Sequence, residues 1–203
     1  MLGMTWRPLV TPKEQAFAAI KEALKHGPIH LNGGEVYGTP QRNSLHLVKE
    51  YFTEYPEDAD KVILCIKSGV NPENMMEPQQ DREGIRKRID HCLKVLDGKK
   101  KLDLFEVARQ AANVPVETTI AAIAECVKEG KVGGISMSEV GAETIRRAAK
   151  VHPIAAVEVE LSLWATDILE NGIAATCKEL GIPILAYSPL GRGFLASPRH
   201  REA

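Results

Sequence analysis

Apolar residues recur at helical spacing in one stretch and in short unbroken runs in the next, and the two patterns alternate along the chain. Phe17, Ile20 and Leu24 make one apolar stripe behind Thr11-Pro12-Lys13-Glu14, a capping-box spacing with proline at the first helical position, and Gly27 stops the predicted helix. A short strand is predicted at 29–31, a helix through Leu45, Val48 and Phe52, and a strand at 62–66. The polar stretch 71–80 reads as a loop at a strand's end. Ile85, Ile89, Leu93 and Leu96 mark a helix begun by Asp81, followed by a strand at 102–107. Ile120, Ile123 and Val127 mark a helix closed by Gly130, with a strand at 132–136 after it. Ile145 and Ala149 lie on a helix ending before His152-Pro153, and 155–161 is a strand. A helix through Ile173, Cys177 and Leu180 stops at Gly181, and a strand follows at 183–187.

Repeated strand-then-helix units with short, mostly apolar strands predict a parallel sheet covered by helices. No G-x-G-x-x-G follows the first strand, which counts against a doubly wound dinucleotide-binding fold. Chemically able residues cluster instead where predicted strands end: Asn32, Glu35 and Tyr37, then Lys67, Ser138 and Glu139, Glu158 and Glu160, and Tyr187 and Ser188. That is how a (β/α)8 TIM barrel builds its site. Six clear strands are found, with the end of a further, first one at 1–4 and no candidate for an eighth after Leu195. The fold class predicted is an α/β (β/α)8 TIM barrel that is incomplete at both ends, about seven strands with the first partial and the eighth missing. A partial barrel over 1–195 and a polar tail over 196–203 are expected, and an unclosed barrel exposes two sheet edges.

With 203 residues, 44% hydrophobic and 26% charged, the chain can bury a real core. A net charge of −1 gives no basic face, so neither nucleic acid nor an anionic membrane is the expected partner. No apolar run reaches the roughly 20 residues of a membrane span, and no secretory signal pattern opens the chain. Cys65, Cys92, Cys126 and Cys177 show no C-x-x-C and no metal spacing with histidine, so buried free thiols in a reducing, cytoplasmic compartment are expected and no metal site is. A small molecule is the expected partner, and the oligomeric state is open.

Gly34-Glu35-Val36-Tyr37-Gly38 and the strand that runs into Lys67-Ser68-Gly69 put a tyrosine and a lysine at the ends of successive strands. A lysine held near a phenol favours the phenolate and lowers the tyrosine pKa, which suits a proton donor in carbonyl reduction. Taken alone, each residue has a plainer role, Tyr37 as a turn residue and Lys67 as a solvated strand end. Glu158 and Glu160 share one strand face, and a lysine partner is as good an explanation for them as a ligand. Trp6 is expected to pack, and His30 to be a satisfied core residue.

Together with Leu102-Asp103-Leu104-Phe105, Ser138-Glu139, Glu158-Val159-Glu160-Leu161-Ser162 and Tyr187-Ser188-Pro189-Leu190-Gly191-Arg192-Gly193, these segments resemble the aldo-keto reductase superfamily over essentially the whole chain. Thr5-Trp6-Arg7-Pro8, Lys101 to Phe105 and Ser138-Glu139-Val140 resemble its fungal pyridoxal reductase branch. The resemblance implies a site of Asp, Tyr, Lys and His beside the nicotinamide of NADPH. Tyr37 matches the proton donor and Lys67 the lysine that tunes it. Asn32 stands at the aspartate position, able to accept a hydrogen bond from Lys67 but not to pair with its charge, and Ala108 stands at the histidine position. For the cofactor, Tyr187 matches the ring that stacks on the nicotinamide, and Ser188, Pro189, Leu190, Gly191, Arg192 and Gly193 match the loop along the pyrophosphate. Ser138, Glu139 and Glu158 match positions that hold the carboxamide. The basic residues that grip the 2′-phosphate in the family follow its eighth strand and are not found here. The function so implied is NADPH-dependent reduction of an aldehyde or ketone, pyridoxal-like or 2-keto acid-like. The alternative is an impaired or inactive barrel remnant acting as a binding module.

Overall fold

The structure is a computed structural model that describes residues 1–196; residues 197–203, nearly all of the predicted polar tail, lie outside the described residues. Six parallel strands form one curled sheet, a half-barrel. In chain order the strands are β1 (Ile29–Gly34), β2 (Gly38–Thr39), β3 (Arg42–Asn43), β4 (Val62–Ser68), β5 (Val70–Asn71), β6 (Asn74–Pro78), β7 (Leu104–Val107), β8 (Gly134–Ser138), β9 (Ala156–Glu160) and β10 (Ile184–Tyr187). The helices are α1 (Leu2–Thr5), α2 (Lys13–Leu24), α3 (Ser44–Glu54), α4 (Arg82–Leu96), α5 (Val116–Lys128), α6 (Ala142–Val151) and α7 (Ile173–Leu180). The sheet runs β1-β4-β7-β8-β9-β10, while β2-β3 and β5-β6 are two-stranded ribbons on the loops. Among the described residues β1 and β10 each have one neighbour in the sheet and form its edges.

Strand alternation divides the sheet into two unlike faces. Leu64, Ile66, Phe105, Val107, Ile135, Met137, Val157 and Val159 belong to the buried core shared with the helices. The residues between them are largely polar. Backbone register aligns Gly34 with Lys67, Lys67 with Glu106 and Glu106 with Ser136, and sets Ser138 beside Glu158. Polar groups from successive strands therefore gather on the concave face near the strand ends.

Local chemistry explains several element ends. Asp81 accepts a hydrogen bond from Gly84 N at 2.8 Å and caps α4 as the sequence predicts. Asn43 caps α3, accepting from Leu45 N at 3.0 Å, while its own N–H donates to His46 Nδ1 at 3.3 Å. Gly181 takes a left-handed φ of 68° at the end of α7.

Three expectations are corrected. Residues 1–4 are not the end of a strand: Met4 N donates to Met1 O and Trp6 N to Leu2 O, closing a helical turn that packs Met1 and Met4, three apart, against the core. Thr11 does not cap α2, whose N-cap is Pro12, because the Thr11 hydroxyl donates to Gly3 O at 3.4 Å and tethers α1 instead. The stretch 71–80 is not merely a loop. Asn71 Oδ1 accepts from Glu73 N and its Nδ2 donates to Glu77 Oε2, and this side-chain bonding turns the chain into the β5-β6 hairpin.

Candidate functional site

Tyr37 owes its place to two glycines. A Cβ on Gly34 would lie 2.9 Å from the Tyr37 ring, so only glycine lets the phenol fold back over the end of β1. Gly38 has φ 128°, and a Cβ there would collide with Arg42 O, which fixes the turn into β2. Trp6 does not pack as expected: it is 45% exposed, with its ring 6.1 Å from that of Tyr37.

Lys67, near the end of β4, is 4% exposed and projects from the concave face. Its ammonium donates to Glu158 Oε1 and lies 3.4 Å from Glu106 Oε1 and 5.7 Å from the centre of the Tyr187 ring. Burial pulls its pKa down, but the charges of Glu106 and Glu158 outweigh burial and hold it above the usual lysine value. The expectation that Lys67 loses a counter-ion at Asn32 is therefore corrected, because two other strands supply carboxylates. Asn32 does not accept from Lys67. Its Nδ2 donates to Glu106 Oε1 at 3.2 Å and to Glu158 Oε2 at 2.5 Å, and its backbone O accepts from the Met1 amino group at 2.7 Å.

Glu106 is fully buried, and Ser136 Oγ donates to its Oε2 at 2.7 Å. Burial raises its pKa, with Lys67 opposing and Glu158 adding to the rise. The Tyr37 phenol moves opposite to expectation: burial pushes it above 10.0, while the Lys67 charge pulls it back only in part.

The remaining sequence-predicted residues surround this network. Ser138 is fully buried at the end of β8, and its Oγ has no hydrogen-bond partner among the described residues. Glu139, at φ 54°, accepts from Glu160 N at 2.9 Å. Tyr187 ends β10, and burial followed by the Glu139 charge raises its pKa. Ser188, Gly191, Arg192 and Gly193 all take positive φ, and Pro189 and Leu190 between them are exposed. Held outliers of this kind gather where a backbone is shaped for a ligand. Ala108 donates its N–H to Ser68 O at 2.9 Å, and Arg109 Nη1 donates to Ala108 O at 2.6 Å at the open side.

Several residues escaped the sequence reading. Glu106 is one, although its place two residues after Leu104 in an apolar strand marks it as concave-facing. Arg88 is a second: its Nη1 donates at 3.0 Å to the buried Glu35, a strand-end residue already singled out, which also accepts from Ser68 Oγ. His91 Nδ1 approaches Glu35 Oε1 at 2.5 Å without hydrogen-bond alignment. Arg88 lies three residues after Ile85 and four before Cys92 on the apolar stripe of α4, which was the available signal. Gln80 is a third: it donates to Arg109 O at 2.7 Å and accepts from Ala111 N at 2.9 Å, setting the loop after β7. His30 is not fully satisfied, since its Nε2 is buried without a partner among the described residues. All four cysteines are buried free thiols. Among the described residues no helix is long and apolar enough to cross a membrane.

Comparison with known proteins gives a concordant picture. The Aldo/keto reductase family matches residues 1–203. The chain is 45% identical over 196 residues to a Schizosaccharomyces pombe protein named probable pyridoxal reductase 2, covering 96% of this chain and 59% of that protein. It thus spans about three-fifths of the length of this curated relative. Among solved structures, the glycerol dehydrogenase of Gluconobacter oxydans superposes with a TM-score of 0.81 at 22% identity, covering 100% of this chain and 61% of that one. An aldo-keto reductase from Klebsiella pneumoniae, solved in complex with NADPH, superposes with a TM-score of 0.73 at 20% identity over 89% of this chain and 60% of that one.

Proposed function

We propose, from the premise that this chain belongs to the aldo/keto reductase family, that it reduces an aldehyde of the pyridoxal type with NADPH as cofactor, in the cytoplasm. The observation that carries this reading is the buried Lys67, held charged by two carboxylates beside Tyr37 and Tyr187 at the open end of the sheet.

The residues fit the nicotinamide half of the cofactor. Ser138 offers a buried hydroxyl with no partner among the described residues, and Tyr187 offers a flat ring. The positive-φ run from Ser188 to Gly193 supplies backbone suited to close approach by phosphates, with Arg192 exposed upon it. Glu139 and Glu158 border the same space. When bound, NADPH supplies the hydride. Tyr37 then delivers a proton to the carbonyl oxygen, and the Lys67 charge stabilises the phenolate left behind. The Ala108 side chain carries no proton to give, so this reading assigns proton delivery to Tyr37.

Binding tests the reading. NADPH at about 100 times its Kd contributes roughly 2.7 kcal/mol, which for a chain of this size raises the unfolding midpoint by about 5–10 °C. The expected result is a rise of that order with NADPH, a smaller one with NADH, and loss of most of the effect in Tyr187→Ala and Ser138→Val. A cooperative transition indifferent to NADPH would contradict it.

A further inference from the structure

A lysine ammonium that is 4% exposed cannot stay charged unless negative groups replace the water it has lost. The carboxylates of Glu158 and Glu106 touch it, from β9 and β7. Among the described residues the other titratable groups near its charge are the Tyr37 and Tyr187 phenols, His30, Cys65 and the Met1 amino group, none of them an anion in its ordinary state at neutral pH. Two carboxylates at one lysine also repel each other, and something must hold them there. Asn32 does so: a side-chain amide nitrogen has two N–H donors, and Asn32 spends one on each carboxylate. The outer oxygen of Glu106 accepts from Ser136 Oγ at 2.7 Å, so both oxygens of that carboxylate are engaged.

We propose that Glu158 and Glu106 together are the counter-ions of Lys67 and that Asn32 is the neutral clamp that seats both on it. All three are positioning residues, acting through Lys67. An aspartate at 32 has no hydrogen to give either carboxylate and adds a third negative charge to one positive one, so asparagine is the residue this arrangement requires. The inference deepens the reductase reading, since it concerns the lysine which that reading sets beside the proton donor. Its test is independent of turnover.

The experiment is an NMR titration of the full chain labelled at lysine Cε, with Lys67 assigned by loss of its resonance in Lys67→Arg. In the wild type Lys67 stays protonated beyond the ordinary lysine value of about 10.4. In Glu106→Gln/Glu158→Gln, which keeps the side-chain shapes, the Lys67 midpoint falls below that value. Adding Asn32→Asp to this pair returns a charge to the network and raises the midpoint by about one unit or more. A purely structural role for the two glutamates predicts no such rescue by relocated charge. The proposal is overturned if the paired variant leaves Lys67 charged as in the wild type, or if Asn32→Asp fails to raise the midpoint. Should the paired variant not fold, Asn32→Asp/Glu158→Gln, which keeps the charge count, must fold with Lys67 charged past about 10.4, and its failure to do so overturns the proposal. Variants that show these shifts while the folded wild type consumes no NADPH would sink the reductase reading and leave this one standing.

Discussion

Burial and the neighbouring carboxylates push the Tyr37 phenol above 10.0, and the Lys67 ammonium only partly reverses them. A phenol in that position keeps its proton through neutral pH, the state a proton donor must hold before the carbonyl oxygen needs it. The turnover number is therefore expected to show no loss from tyrosine ionisation as pH rises to about 10, and a pH–rate profile checks this. Lys67→Met removes the lysine cation from a buried pair of carboxylates. Leaving such charges unpaired costs about 3–5 kcal/mol, which denaturant unfolding at neutral pH is expected to register. At this scale the sequence was half legible. Tyr37 and Lys67 stood out because each ends a strand in a sheet that gathers strand ends. Glu106 did not, because its meaning depends on Asn32 and Ser136, which reach it from β1 and β8. The direction of the Tyr37 shift depends on burial, which one chemical rule about lysine and phenol leaves out.

Elements are held by buried polar contacts as much as by apolar stripes. Asp58, in the turn after α3, receives hydrogen bonds from the Tyr51 hydroxyl at 2.7 Å, from Lys21 of α2 at 2.6 Å and from Lys61 at 3.1 Å. Burial raises its pKa, but these three donors overcome it and bring the carboxyl from 3.8 to about 2. A depressed folded pKa means that the contribution is in place above 3.8 and is lost as pH falls toward about 2. Its size is of the order of 2 kcal/mol. Asp58→Asn is expected to lose stability at pH 7 and to narrow its deficit below pH 3 or so, read by thermal unfolding across pH. Arg88→Met, which strands the buried Glu35 between β1 and α4, is expected to destabilise by about 3–5 kcal/mol, with Ser68→Ala much milder. The six main strands were readable because each is a short apolar run between helical stripes. The hairpin of β5 and β6 was not, since side-chain bonds at Asn71 define it. Residues 1–4 misled because Met1, Leu2 and Met4 are apolar enough for a strand, whereas the spacing of the two methionines suits one face of a turn.

The whole molecule is a curled sheet with an apolar convex face under its helices and a polar concave face that carries a charge network. That division explains how a chain spanning about three-fifths of a curated relative's length still assembles Lys67, Glu106, Glu158 and Asn32: all four stand on β1, β4, β7 and β9, within one continuous sheet. Tyr37 reaches them from the turn beyond β1. Both edge strands carry part of the site, Asn32 on β1 and Tyr187 on β10, so changes at either edge are expected to disturb it. The decisive measurement mixes the full chain with NADPH and pyridoxal and follows cofactor loss and alcohol formation together, for the wild type and for Tyr37→Phe. The expected result is one alcohol formed per NADPH consumed, with Tyr37→Phe slower by about 10²–10⁴-fold while binding NADPH equally well. A folded wild type that consumes no NADPH, or a Tyr37→Phe variant that turns over at the wild-type rate, would contradict it.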